Sequence, residues 1–171
     1  MKIQIIGFSG SGKTYLAKLL SSHFNIPALH LDGIHFIHNW EERDDISFEN
    51  LIQQFLSKND SWIIEGNYLS FATQRFLQCD ILIFLNYNRF VCYHNCKKRY
   101  QQNKNKARDE MPINCIEKFD KEFKKWILWE GRKTNRKKKF KILVKNHSCS
   151  YEFKNRRQLH DFLKQQKILT K

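Results

Sequence analysis

The chain has 171 residues, 41% of them hydrophobic and 28% charged, which suffices for one domain with a sizeable core and no disulfide or metal staple. No apolar run approaches the roughly 20 residues that span a bilayer, and the opening MKIQIIGFSG turns polar too soon for a secretory signal, so a cytoplasmic protein with no membrane partner is expected. The net charge of +14 excludes an acidic halophile-type or calcium-buffering protein and points to an anionic partner.

That charge is uneven. Residues 1–96 carry 7 basic and 9 acidic side chains, whereas residues 97–141 carry 17 and 6. No Pro/Gly-rich linker marks the change, so one domain over 1–171 is expected, as a monomer or a homodimer. The five cysteines are scattered and form no C-x-x-C pair, which argues against a disulfide framework or a zinc ribbon. Cys92 and Cys96, four apart, read as buried thiols on one helix face.

Lys2 to Ile6 is β-prone and ends at Gly7, a first strand. Leu16, Leu19, Leu20 and Phe24 form a helical stripe that Pro27 stops. Ala28 to Leu31 reads as a short second strand running into Asp32-Gly33. Phe48, Leu51, Ile52, Phe55 and Leu56 have the spacing of an amphipathic helix. Trp62 to Ile64 is a buried-type strand before Glu65-Gly66, and Ile81 to Leu85 is apolar throughout, as in a strand covered on both faces. Asn88 to about Gln102 reads as a helix, and residues 103–114 as a polar mobile loop. Ile116, Phe119, Phe123, Trp126 and Ile127 have helical spacing, Phe140 to Val144 reads as a fifth strand, and Leu159, Phe162 and Leu163 mark a last helix. Alternating β and α elements with continuous apolar strands predict an α/β fold, a parallel sheet with helices on both faces, whose ligands bind beyond the strands' carboxyl ends.

Gly7-Phe8-Ser9-Gly10-Ser11-Gly12-Lys13-Thr14 matches G-x-x-x-x-G-K-[ST] in full, after a strand and before a helix. The glycines let successive backbone N–H groups turn around a phosphate, and the helix end adds its unpaired N–H groups and positive dipole. Lys13 supplies a mobile cation for the β- and γ-phosphates, and the Thr14 hydroxyl is a Mg²⁺ ligand. ATP and Mg²⁺ are the expected cofactors.

Two acids fall after strands. Asp32 is placed to orient a Mg²⁺-bound water or to take a proton from an acceptor hydroxyl, the alternative being a plain Asp-Gly turn. Glu65 has the position of a Walker B acid holding Mg²⁺, the alternative being an acidic turn residue before Gly66. Transition-state charge calls for cations, and Arg75, Arg89, Arg99, Arg108, Arg132 and Arg136 are the candidates. Arg108 lies in the 103–114 loop, a candidate lid; Arg132 and Arg136 share a face if helical. His30, His35 and His38, with Phe36 and Trp40, sit loosely together after the second strand.

GFSGSGKT, HLDGIHF, SWIIEGNY and the stretch ARDEMPINCIEKFDKEFKKWI together resemble the DNA topology modulation (FlaR-related) family, a branch of the adenylate-kinase-like P-loop kinases, over roughly residues 2–165. The resemblance implies a three-layer P-loop NTPase fold with strand order 2-3-1-4-5 and a lid after the fourth strand. It implies phosphate binding by Gly10 to Thr14 and places Glu65-Gly66 where nucleotide kinases have Asp-Gly. It matches Arg99 and Arg108 to the lid, and Arg132 and Arg136 to the helix behind it. The adenylate-kinase motif Asp-Gly-Phe-Pro-Arg is absent; GNYLSFATQR (Gly66 to Arg75) replaces it.

The expected function is transfer of the ATP γ-phosphoryl to a nucleotide-like or other small hydroxyl or phosphate acceptor, with Lys13, Asp32, Arg99, Arg108, Arg132 and Arg136 as the catalytic set. The alternative is a nucleic-acid-associated NTPase, motivated by the basic segment, the Lys137 to Lys139 run, and Tyr100, Phe119, Phe123 and Trp126 among the cations.

Overall fold

The computed structural model describes residues 1–168; the expected domain over 1–171 includes three further residues outside the described ones. Five parallel strands, β1 (Lys2–Gly7), β2 (Ala28–His30), β3 (Trp62–Glu65), β4 (Ile81–Leu85) and β5 (Ser150–Phe153), form one sheet in the order 2-3-1-4-5. Helices lie on both faces. Helix α1 (Lys13–Phe24) packs on β1, β2 and β3, and α7 (Thr134–Asn146) on β4 and β5. The others are α2 (Leu31–His35), α3 (Asp45–Lys58), α4 (Gln74–Gln78), α5 (Arg89–Gln102), α6 (Lys121–Leu128) and α8 (Arg156–Gln165). Among the described residues, no helix is long and apolar enough to cross a membrane.

The central strands are apolar because both of their faces are covered. Ile3, Ile5, Ile6, Ile63, Ile64, Leu82, Ile83 and Phe84 are all buried, and Leu16, Ala17 and Leu20 of α1 close over them. The pairing places Ile5 beside Glu65 and Glu65 beside His30, one row across three strands at the carboxyl end of the sheet.

Three elements differ from expectation. The second strand stops at His30, and Leu31 opens the short helix α2; Leu31 is fully buried against Gly66, where an added Cβ would lie 2.7 Å from the Leu31 Cβ. Asp32 therefore sits in the first turn of a helix, favourable for an acid at the positive end of the dipole. Residues 116–120 are not helical, because Asp120 caps α6 by accepting from Phe123 N at 2.8 Å and Glu117 turns inward instead.

Phe140 to Val144 is part of α7, not a strand. Phe140 is fully buried against Phe8 and Phe84, whereas Lys141 and Ile142 point outward, so one side of the run faces the core. The fifth strand is SYEF, Ser150–Phe153, an edge strand paired only with β4.

Candidate functional site

The loop between β1 and α1 is held from two sides. Gly7 N donates to Asn67 Oδ1 and Asn67 Nδ2 donates to Gly7 O, both at 3.0 Å. From α5, Asn95 Nδ2 donates to Gly10 O at 2.9 Å. Gly10 has φ +78, and an added Cβ would collide with the Cys92 carbonyl and lie 2.6 Å from Cys96 Sγ. The close approach of a helix and the left-handed backbone both require glycine here. Cys92 and Cys96 are fully buried, and burial pushes the Cys96 thiol up to about 11, so both are neutral packing groups.

Lys13 and Thr14 open α1. Lys13 Nζ donates to Phe8 O at 3.3 Å. The Thr14 hydroxyl donates to Glu65 Oε1 at 2.9 Å, and His30 Nδ1 lies 3.0 Å from the same oxygen. Glu65 is only 3% exposed. Burial opposes its ionisation, but the His30 hydrogen bond, the Lys13 and His30 charges and the Thr14 bond prevail and hold its carboxyl below the usual range. An ionised carboxylate only accepts, so His30 carries its proton on Nδ1. Ser11 is buried, and its hydroxyl has no protein partner.

Asp32 Oδ1 accepts from the Tyr68 hydroxyl at 2.8 Å. Burial, then the Asp32 charge, pushes the Tyr68 phenol far above its ordinary value, so it remains a donor. The loop that carries Tyr68 is itself tied down. Arg75 is fully buried in α4 and donates to the carbonyls of Asn67, Tyr68 and Phe71 at 3.0–3.2 Å. Burial pulls its guanidinium down to about 10. Arg75 is therefore a structural cation, and Arg89 is solvent-exposed at the start of α5.

The 103–114 segment carries the next cluster. Arg99 Nε donates to Glu117 Oε1 at 2.7 Å, and Arg108 Nε to Glu117 Oε2 at 2.8 Å. Glu117, 3% exposed, spends one oxygen on each arginine. Glu117 N also donates to Lys106 O at 3.1 Å, closing the segment on itself. Lys18 of α1 pairs with Glu110 across the gap, and Trp40 Nε1 donates to Ile116 O at 2.8 Å.

Arg132 and Arg136 lie on the other side of the loop. The Arg132 guanidinium stacks 3.9 Å from the Phe8 ring centroid and donates to Tyr87 O and Ile127 O. Arg136 stacks on Trp126 at 4.4 Å. Burial lowers both guanidinium pKa values.

One open cleft of about 1980 Å³ is lined by Ser9, Gly10, Gly12, Lys13, Thr14, Asp32, Glu65, Arg99, Arg108 and Arg136. The structure thus brings together most of the residues singled out from sequence. Arg132 instead borders a small pocket with Phe8 and Ser9. Sequence reasoning missed Asn67, Tyr68, Asn95 and Glu117. Asn67 and Tyr68 lie within the SWIIEGNY stretch and were open to suspicion; nothing local distinguishes Glu117 from the surface acids around it.

No known protein-family model matches the chain, and no curated protein does. Solved structures do. A shikimate kinase from Acinetobacter baumannii, in complex with shikimate, superposes with a TM-score of 0.59 at 14% identity, covering 98% of this chain and 92% of that one. A deoxyadenosine kinase from M. mycoides with bound dATP gives 0.57 at 11% identity, covering 97% and 98%. A shikimate kinase from Bacteroides thetaiotaomicron gives 0.52 at 17%, covering 98% and 96%. The fold is that of the P-loop kinases. In this P-loop kinase fold, the cleft beyond the sheet's carboxyl end is where ligands of such sheets bind.

Proposed function

We propose that the chain is an ATP-dependent phosphotransferase that moves the γ-phosphoryl group to a hydroxyl of a small acceptor. The supporting observation is the convergence of the phosphate loop, the Thr14–Glu65 pair, Asp32 and two lid arginines on one cleft. That the fold neighbours are a deoxyadenosine kinase and shikimate kinases fits this reading. The resemblance to DNA topology modulation proteins rests on sequence motifs alone.

The loop that begins at Gly7 wraps the β- and γ-phosphates with the backbone N–H groups of Ser9, Gly10 and Gly12, while those of Gly7 and Ser11 hold the loop's shape, and Lys13 neutralises the phosphates. Thr14 and Glu65 suit Mg²⁺: both offer hard oxygen, and Thr14 keeps lone pairs free while its proton goes to Glu65. No group of three His, Cys, Asp or Glu side chains converges among the described residues, which suits an ion that keeps waters and takes phosphate oxygens as further ligands. When bound, Mg²⁺ offsets charge on the phosphate oxygens.

Asp32, oriented by Tyr68, accepts the acceptor's hydroxyl proton as the new O–P bond forms. The bond from the γ-phosphorus to the β–γ bridging oxygen breaks, and ADP leaves. Arg99, Arg108 and Arg136 offset the equatorial charge, and Arg132 positions the loop through Phe8. The lid excludes water and so limits hydrolysis.

A panel of hydroxyl compounds, nucleosides and nucleotides with ATP and Mg²⁺ tests this reading. A phosphorylated product that disappears in Lys13→Ala supports it. ATP hydrolysis that responds only to DNA, with no phosphorylated product, overturns it.

A nucleic-acid-associated NTPase keeps one supporting observation, the exposed cations of α7 from Lys137 to Lys139. The aromatic part of that case is weaker. Phe119 and Phe123 pack against the core, Tyr100 stacks on Phe119, and Trp126 is occupied by Arg136. DNA binding through this face carries a log–log salt slope of about −0.9 per neutralised phosphate.

A further inference from the structure

The cleft has two chemically distinct ends. Cations reach the cleft from the phosphate loop, the lid and α7 as Lys13, Arg99, Arg108 and Arg136. The opposite wall, built from residues 31–49 and 67–78, is acidic and aromatic. Of the six carboxylates in residues 31–49, Asp32 and Glu42 line the cleft; residues 67–78 add no acid, and each segment carries one arginine. Both arginines are engaged by backbone: Arg43 Nε donates to Ile34 O at 2.8 Å, and Arg75 is buried on three carbonyls. Phe36, Trp40, Tyr68 and Phe71 line this wall together with Asp32, Glu42 and His35, whose Nε2 lies 3.7 Å from Glu42 Oε1.

An acceptor bearing a phosphate or carboxylate needs a fork of donors or a point cation to offset the loss of its hydration. On this wall such a group meets Asp32 and Glu42, and the nearest arginines, Arg99 and Arg108 on the lid, already share Glu117. Lys118 comes over the Trp40 ring at 5.9 Å from the lid side, but it is solvent-exposed and stands next to Glu117. Aromatic side chains, in contrast, offer flat faces to a planar ring. Trp40 is held in place at some cost. Its backbone has φ +66, left-handed for a bulky residue, and its indole N–H is tied to Ile116 O. The cleft volume of about 1980 Å³ exceeds the roughly 300–1,000 Å³ of a single small-molecule pocket. There is room for the triphosphate and a second ring system.

Resting on the phosphotransferase reading above, we infer that the acceptor is a planar heteroaromatic ring carrying a hydroxyl and no anionic group, the chemistry of a free nucleoside rather than a nucleotide. Asp32 takes the hydroxyl proton, the ring lies against Trp40 and its aromatic neighbours, and Glu42 accepts from ring N–H donors or faces a ring cation.

The test uses the full chain loaded with a non-hydrolysable ATP analogue for binding, and with ATP for transfer. Matched pairs are compared: each nucleoside with its 5′-monophosphate, and hydroxymethyl-substituted heterocycles with their carboxylate counterparts. The second set separates nucleosides from other planar alcohols. The uncharged member of a pair is expected to bind and react at least tenfold better. Trp40→Leu is expected to weaken its binding about tenfold, in line with loss of one base–aromatic stack. Glu42→Lys is expected to shift the ratio toward the anionic member, and the milder Glu42→Gln in the same direction. Lys118→Ala is expected to leave the ratio unchanged. Preference for the monophosphate or carboxylate overturns the inference. So does failure of every uncharged ring to bind while the ATP analogue still does. The underlying reading fails separately, when no compound of any kind is phosphorylated and Lys13→Ala leaves ATP affinity intact.

Discussion

The Thr14 hydroxyl donates to Glu65 Oε1 at 2.9 Å, joining the last residue of the phosphate loop to the end of the neighbouring strand. His30 reaches the same oxygen from a third strand at 3.0 Å. One buried carboxylate thus fixes both the Thr14 rotamer and the His30 tautomer.

Glu65→Gln keeps the shape and removes the charge. Mg²⁺-dependent turnover is expected to fall at least about 10- to 100-fold, the loss seen when only a ligand's partner is altered, because Gln offers Mg²⁺ a neutral oxygen in place of the carboxylate. A Mg²⁺ titration of phosphoryl transfer reads this. The same substitution alters acid stability. The folded Glu65 carboxyl is held low, so below its ordinary value of about 4.3 the unfolded chain binds more protons. This contribution is fully present above about pH 4.3 and is lost as the pH falls through the folded value. Urea midpoints measured down the acid limb are expected to fall less steeply in Glu65→Gln than in the parent chain.

Asn67→Ala removes both side-chain bonds to Gly7. Two lost bonds of this kind cost about 2 kcal/mol. The loop then has to be ordered at the expense of binding energy, so ATP affinity is expected to drop with stability. Calorimetric titration and a thermal melt on one preparation check both.

Glu117→Gln leaves Arg99 and Arg108 without their shared anion. Breaking a buried ion pair on one side costs about 3–5 kcal/mol. A cost toward the lower end is expected here, because Arg99 keeps partial contact with solvent. The lid segment is expected to exchange its amide hydrogens faster, while the sheet strands keep their protection. An unchanged exchange pattern contradicts the proposed anchoring of the lid.

Gly10→Ala is the most severe change in the set. The new Cβ meets the backbone carbonyl of Cys92, which cannot swing away as a side chain does, and φ +78 disfavours any L side chain. A loss of more than about 2 kcal/mol is expected from strain and overpacking together. Gly12→Ala is the comparison. That position also has positive φ, but nothing lies within 4 Å of the added Cβ, so its loss reports backbone strain alone.

The phosphate loop and the three central strands were legible because their signals are local. A full-length motif sits between a strand and a leucine stripe; β4 is apolar throughout, β3 up to Glu65, and Gln4 alone interrupts the isoleucines of β1. The fifth strand was not legible. KFKILVK has an apolar run short enough to suit either a buried strand or one face of a helix, and period alone does not separate them. Packing decided it: Phe140 fills the space between Phe8 and Phe84, which a helix reaches at that point. SYEF, the true edge strand, is only partly buried and carries no apolar run. Asp32 was found as a functional candidate, but its partner Tyr68 was not, because 36 residues separate them. Glu117 was invisible for the same reason. Its importance comes from two arginines that only the folded lid brings to it.

The row Ile5–Glu65–His30 across β1, β3 and β2 has a further consequence. Side chains alternate along a strand, so slipping β3 by a single residue turns its whole set of side chains over. Such a slip exchanges the faces on which Ile63 and Ile64 pack and turns Glu65 away from Thr14 and His30. Misalignment therefore cannot spoil the chemistry quietly. A chain that has its core in order has its carboxylate in order too.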